Sequence, residues 1–293
     1  MSVDATTREH EADLAGLDAL QVEGGRGRTL RRWRDVLWSG TWPKVAAVLL
    51  ALIVWEIVVL TGWRPEYVLP SPFTVGAELV TQIQTPELWA AVATTMQRAL
   101  FGFGVATVIG LALGFAVARF TVLRAAVGSM ITGLQTMPSI AWFPLAIVLF
   151  GLDESAIFFV VVLGAAPSIA NGVLAGVDYV PPLLVRAGRN MGASGISLYR
   201  HVIGPASMPA IVGGLKQGWA FSWRSLMAGE LLVRIGESGS LGARLQDSRE
   251  VADYPALLVT MILVLVIGIL ADAAFTAANN ALRRRWGLLD APS

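Results

Sequence analysis

The chain has 293 residues, of which 55% are hydrophobic and only 15% are charged, and its net charge is +1. Soluble domains carry about 25% charged residues, so this composition excludes an ordinary soluble domain and favours a membrane protein. The sequence contains no cysteine, which excludes disulfides, thiolate metal sites and cysteine nucleophiles. Its two histidines, His10 and His201, lie too far apart to show metal-ligand spacing.

Residues 1–43 precede the first apolar segment and begin with a polar stretch of about 30 residues that lacks the apolar centre of a signal peptide. Such a composition cannot bury enough apolar surface to order itself. We therefore predict a partly disordered cytoplasmic tail at this end of the chain.

Residues 44–280 form the predicted membrane domain, because they hold segments long and apolar enough to cross a bilayer. A spanning helix needs about 20 predominantly apolar residues. Pro138 and Pro144 interrupt the third segment, and the fifth is the most polar. The predicted fold is therefore all-α and polytopic, with six transmembrane helices at 44–62, 95–118, 127–150, 155–176, 207–233 and 255–279.

The distribution of basic residues predicts the orientation, since cytoplasmic loops are enriched in Lys and Arg. With the N-terminus inside, 15 of the 22 basic residues fall on the cytoplasmic side and five fall outside. Both termini, including the tail 281–293, are predicted to be cytoplasmic. The inner segments are 1–44, 119–126, 177–206 and 280–293.

The sequence shows no recognisable catalytic or nucleotide-binding site. It lacks the Gly-x-x-x-x-Gly-Lys loop that binds nucleotide phosphates, and no Ser/His or paired-Asp arrangement lies within the predicted spans. We therefore predict a protein that is not an enzyme and that holds no catalytic residue, cofactor or metal. Any energy source must lie on another chain.

A long polar segment, 181–205, separates the fourth and fifth predicted spans. Its charged residues are three arginines and one histidine, without an acid. The apolar spacing predicts two short helices, and Gly192 supplies the turn between them. Two interpretations remain open: a knob that docks on a partner, or a basic loop that contacts lipid headgroups.

The region 181–209 is similar to the EAA loop of permease subunits in bacterial ABC importers, in which Glu-Ala-Ala precedes a glycine and a final proline. Arg186 stands at the glutamate position, while Ala187 and Gly188 stand at the two alanines. Gly192 and Pro205 match the glycine and the proline, whereas the acid and the leucine of the pattern are absent. The flanking sequence, together with VLPSPFTV at 68–75, resembles that of permeases in the nitrate, sulfonate and taurine group.

The resemblance implies a type I ABC importer permease in the bacterial inner membrane, with no role in nucleic-acid binding. Two copies would form one pathway, two separate ATPases carrying ATP and Mg²⁺ would drive it, and an extracytoplasmic binding protein would deliver the solute. The residues implied in coupling to the ATPases are Arg186, Ala187, Gly188, Arg189, Gly192, Ala193, Ser194, Tyr199, Arg200 and Pro205.

The resemblance also implies a small anionic solute such as a sulfonate, taurine or nitrate. Bicarbonate, a pyrimidine vitamin precursor and riboflavin are the alternative solutes for the same role. An ion-coupled secondary transporter is the alternative mechanism, and it would rely on acids inside the spans.

Polar residues within the predicted spans are the candidates for lining a pathway. Charged side chains at membrane depth are costly and face a cavity or one another. Arg224 has two open interpretations, contact with an anionic solute or a structural ion pair. The candidate lining residues are Gln135, Ser139, Asn171, Gln217, Ser222, Trp223, Arg224 and Glu230.

Overall fold

The computed structural model describes residues 42–235 and 239–285, and within these ranges every regular element is helical. The chain divides into two compact units, residues 1–72 and 73–293. The tails predicted at the two ends lie largely outside the described residues.

The first unit contains α1 (Trp42–Leu60), which is apolar apart from Lys44 and Glu56 and buries no residue. The chain then turns at Gly62, whose φ is +66°. The indole nitrogen of Trp55 donates to the carbonyl of Pro70 at 3.2 Å and ties the segment after this turn to the helix. An apolar helix of this length matches the hydrocarbon thickness of a bilayer.

The second unit consists of helices joined by short connections. Its elements are α2 (Pro72–Ile83), α3 (Pro86–Arg119), α4 (Thr121–Thr136), a 3₁₀ turn (Ser139–Trp142), α5 (Phe143–Phe150), α6 (Glu154–Asp178), α7 (Pro182–Asn190), α8 (Gly195–Leu198), a π turn (Tyr199–Ile203), α9 (Gly204–Leu232), α10 (Leu241–Glu250) and α11 (Tyr254–Arg285).

Helix α6 is the centre of this unit, with α3 and α9 packed along it. The backbones of α6 and α9 come close together where Gly172 of α6 meets Gly214 of α9. A Cβ on Gly172 would lie 2.5 Å from the Cα of Gly214. Small residues allow such contact between membrane helices. Farther along α9, Trp219 and Trp223 stack with ring centres 6.2 Å apart and pack against Phe103 and Phe275.

The start of α6 is capped by Asp153, whose carboxylate accepts hydrogen bonds from the backbone N–H and the hydroxyl of Ser155, both at 3.1 Å. These bonds favour the ionised carboxylate and lower the pKa of Asp153. An ionised carboxylate at this position also interacts favourably with the helix N-terminus.

The third predicted span, 127–150, is not one helix. Helix α4 ends at Thr136, and its axis is bent by 106° from the helical segment that runs from Ser139 to Phe150. Pro138 causes the break, because it has no N–H and forces Met137 into an extended conformation with ψ 127°. Pro144 lies in the first turn of α5, where proline is well tolerated.

Four described helices, α1, α3, α6 and α11, are long and apolar enough to cross a membrane, and the bent α4–α5 pair makes a fifth candidate. Helix α9, with 29 residues, spans about 43 Å, but its polar residues set it apart from the others. Several helices also exceed the predicted spans: α3 begins at Pro86 and α11 reaches Arg285.

Candidate docking segment and solute-contact face

Residues 181–205, which we call the docking segment, fold as α7, a glycine turn, α8 and the π turn. Pro182 opens α7, and the helix ends at Asn190. Gly192 follows with a φ of +87°, a left-handed conformation that favours glycine. The N–H of Ala193 donates to the carbonyl of Gly188 at 3.0 Å, as in a helix C-terminal motif.

The docking segment has its own small apolar core. Leu198 and Ile203 are buried against Val180, and Val202 packs on the same cluster. A Cβ on Gly188 would lie 2.8 Å from a methyl carbon of Val202. Glycine at this position therefore lets α7 pack tightly against the π turn.

The outer surface of the docking segment is basic and apolar. Met191 is 80% exposed and Ile196 is 86% exposed, and Leu183 is also exposed. No acid occurs between residues 181 and 205. The other predicted coupling residues divide by exposure: Arg186, Ala187, Arg189, Ser194, Arg200 and Pro205 are exposed, whereas Ala193 and Tyr199 are half-buried.

A second exposed surface follows α9, and we call it the α9 stripe: Gly213, Gln217, Ala220 and Arg224, all exposed. Their spacing puts them on one face of the helix. Exposed positions near the middle of α11 include large apolar side chains such as Leu265 and Ile269, which suit contact with lipid. The α9 stripe is thus suited to water or protein rather than to lipid.

Arg224 is the charged residue of the α9 stripe. Its Nε donates to the carbonyl of Ala220 at 3.0 Å, and its guanidinium lies 4.7 Å from the centre of the Phe221 ring. Among the described residues, no carboxylate comes within ion-pair distance of this guanidinium. Within residues 42–235 and 239–285, the chain thus supplies no structural acid for Arg224.

Glu230, by contrast, is enclosed and does not face an open surface. It is 3% exposed, and its carboxylate accepts from the hydroxyl of Thr95 at 2.9 Å and the backbone N–H of Gly242 at 3.0 Å. The guanidinium of Arg98 lies 3.3 Å from Glu230 and 2.8 Å from Glu154. This arrangement suits a structural role for Glu230 rather than contact with a passing solute.

Ser222 and Trp223 also lie inside the unit, with exposures of 0% and 8%. Trp223 belongs to the largest apolar cluster and packs beside Gly268 of α11. Ser222 and Trp223 lie on a different side of α9 from the exposed stripe. A helix that exposes Arg224 therefore turns these two side chains inward. Both side chains are therefore buried within the unit and lie away from the exposed α9 stripe.

Gln135 and Asn171 come together between α4 and α6. The amide of Asn171 donates to the side-chain oxygen of Gln135 at 2.5 Å, and the amide of Gln135 donates to the hydroxyl of Ser168 at 2.9 Å. Asn171 also borders an open cavity of about 520 Å³ with Ser129 and Thr132. This polar site remains a candidate for solute contact, and Ser168 is a member that the sequence did not indicate.

Ser139 occupies the 3₁₀ turn and is half-buried near Gly164 of α6.

The Arg98–Glu154–Glu230 cluster was not predicted from the sequence as a unit, although buried charges in membrane helices normally pair. Among the described residues, no group of three His, Asp or Glu side chains has an arrangement that holds a metal.

The family profile described as "Binding-protein-dependent transport system inner membrane component" matches residues 106–285. The chain belongs to this family. The match runs from within α3 to the end of α11, and therefore includes both the docking segment and the α9 stripe. The predicted resemblance to permease subunits of ABC importers is confirmed.

Three relatives agree with the predicted subgroup. The aliphatic sulfonates transport permease protein SsuC of Escherichia coli is 32% identical over 80% of this chain and 86% of its own. The taurine transport system permease protein TauC of Escherichia coli is 26% identical over 86% and 92%. The nitrate import permease protein NrtB of Synechocystis sp. is 27% identical over 78% and 86%.

Among solved structures, a chain of the MetNI methionine ABC transporter in an inward-facing conformation superposes with a TM-score of 0.57. The identity is 21%, and the match covers 68% of this permease and 99% of that chain. The similarity confirms the all-α, type I importer permease fold.

Proposed function

We propose that this permease forms the solute pathway of an ATP-driven importer and binds separate ATPase subunits through its docking segment. The observation that carries the proposal is the surface of that segment. It contains no acid and exposes Met191 and Ile196 to solvent, and an apolar core beneath it holds its helices together. Large apolar groups held on a rigid, basic surface are typical of a protein contact.

The remaining partners follow from the family and from the α9 stripe. A binding protein delivers the solute on the outer side, as the family description implies. A second copy of the permease faces the α9 stripe and completes a polar passage between the two chains. ATP and Mg²⁺ are held by the two ATPases, in the cytoplasm, on the side of both chain termini in the bacterial inner membrane.

The solute of this passage is a small anion. Arg224 presents a guanidinium on an exposed face and lacks an acid partner among the described residues. Gln217 lies two turns away on the same face and offers amide donors. The printed names of relatives include aliphatic sulfonates, taurine and nitrate, and a guanidinium can bind such oxyanions through two parallel hydrogen bonds.

Ion-coupled transport receives no support from Glu230 and Asp272, the acids inside the fifth and sixth predicted spans. A coupling carboxylate must exchange its ion during the cycle. Glu230 is held by Arg98, and Asp272 of α11 lies 2.9 Å from the ammonium of Lys216. Both carboxylates therefore already have a cation as a partner.

Cysteine labelling tests both orientation and docking, since the chain has no native cysteine. Single cysteines at the exposed positions Ser194 and Arg284 should react with an impermeant maleimide only from the cytoplasmic side, and one at Arg249 only from outside. Adding the ATPase should protect position 194 and leave position 284 reactive. Reaction of position 194 from outside would contradict the orientation together with the docking role.

The solute role of Arg224 is tested by Arg224→Gln. Because hydrogen bonds to charged groups contribute about 1.5–3 kcal/mol, or roughly ten- to 100-fold, uptake of a sulfonate should fall by about tenfold or more. The thermal stability of the complex should stay unchanged, since the side chain is exposed. Arg249→Gln, a change of another exposed arginine, is the matched control. Parallel losses of uptake and stability would assign Arg224 a structural role instead.

A further inference from the structure

Glu230 joins three elements in the second unit, and we call its contacts the Glu230 clamp. Thr95 and Arg98 come from α3, Glu230 lies in the last turn of α9, and Gly242 lies in the first turn of α10. The hydroxyl of Thr95 also accepts the backbone N–H of Leu241 at 2.9 Å. Two backbone donors of the α10 N-terminus are thus bound by side chains from other helices.

The fit between α9 and α10 at the clamp is tight. A Cβ on Gly242 would lie 2.3 Å from the Cβ of Glu230 and 2.9 Å from its carbonyl carbon, distances that side chains do not tolerate. The carboxylate of Glu230 also interacts favourably with the positive end of α10. Helix α10 is therefore fixed to the end of α9 by charge, hydrogen bonds and shape together.

The other end of α9 is the docking segment. The backbone is right-handed and helical at Leu198, Tyr199, Ile203 and Gly204, where α8, the π turn and α9 meet. Residues 196–232 therefore form one continuous helical segment of about 55 Å, with Pro209 inside it, which we call the rod. Short π segments inside helices frequently mark functional sites. The rod carries half of the docking segment at one end and the Glu230 clamp at the other.

We propose that the Glu230 clamp is the contact that passes movement between the docking segment and α10. A displacement of the docking segment by the ATPases moves α9, and the clamp obliges α10 to follow. By reciprocity, a partner that displaces α10 biases the docking segment. This inference rests on the proposed function, since it needs ATPases at the docking segment. Glu230 and Gly242 act here as positioning residues and do not touch the solute.

The experiment uses the assembled transporter with a single cysteine at position 249, which is exposed on α10. The rate of maleimide labelling is measured without nucleotide and after trapping with ATP and vanadate, with ATP hydrolysis measured in parallel. Couplings between sites typically amount to about five- to 150-fold. The trapped state should therefore change the labelling rate at position 249 by about fivefold or more.

The variant Gly242→Ala tests the clamp by itself, because its new Cβ pushes α10 away from Glu230. ATP hydrolysis should continue, while the nucleotide-dependent change at position 249 should largely disappear. Gly239→Ala is the matched control, since a Cβ there meets nothing within 4 Å. Thr95→Val, a change of similar volume that removes the bridging hydroxyl, serves if Gly242→Ala does not assemble.

Three outcomes contradict a part of this account. An unchanged nucleotide response in Gly242→Ala or Thr95→Val would overturn the clamp while leaving the proposed function intact. The absence of any response at position 249 in an unaltered transporter that hydrolyses ATP would do the same. A permease that binds no ATPase at all would contradict the proposed function, and the clamp's role with it.

Discussion

Replacing Arg98 by alanine should cost about 3–5 kcal/mol of stability, the range observed when one partner of a buried ion pair is removed. The guanidinium of Arg98 lies between two carboxylates, at 2.8 Å from Glu154 and 3.3 Å from Glu230. Without it, Glu230 is left as a buried charge that only neutral donors contact. The expected result is a large fall in the thermal unfolding midpoint of the purified permease.

Arg224→Ala is the control for this prediction. It also removes an arginine from a predicted span, but the Arg224 side chain is exposed and has no carboxylate partner among the described residues. Its unfolding midpoint should match that of the unaltered chain. Equal losses in the two variants would mean that burial and pairing do not distinguish these two arginines.

Gly192→Val should weaken the contact with the ATPases. The left-handed conformation at Gly192, with φ +87°, costs an ordinary residue about 1–2 kcal/mol and a β-branched residue more. Relief of this strain would shift α7 relative to α8 and disturb the surface that both share. We expect ATPase binding to weaken by about tenfold, given this strain energy, and uptake to fall with it, as measured by co-purification and transport.

Gly76→Val is the matched control, because Gly76 lies in α2, outside the docking segment. Its φ is not positive, and a Cβ there meets nothing within 4 Å. Its effect on ATPase binding should be small. Full uptake and co-purification by Gly192→Val would show that the turn geometry does not matter for docking.

The docking segment could be predicted from sequence because its signals are local. Two prolines, a glycine and short apolar spacing determine where helices begin and end. The exposed α9 stripe follows in the same way from helical periodicity, which separates Gln217 and Arg224 from Ser222 and Trp223 once one face is known to be buried. The sequence did not show which face that was, so all four were candidates.

Other features depended on contacts between distant parts of the chain. Arg98, Glu154 and Glu230 are spread over α3, α6 and α9, and nothing local indicates that they meet. Prolines interrupt the third predicted span, but a kinked membrane helix and a 106° break carry the same local signals. The close approach of Gly242 to Glu230 became visible only with the packing of α10.

ATP-dependent uptake in sealed vesicles tests the central claim most directly. The permease is reconstituted with its ATPase and binding-protein partners, and uptake of a sulfonate is measured with ATP on the cytoplasmic side or with an imposed ion gradient. We predict uptake with ATP in the absence of any gradient, and none with a gradient alone. Uptake by the permease alone, driven by an ion gradient and insensitive to ATP, would contradict the assignment as an ABC importer subunit.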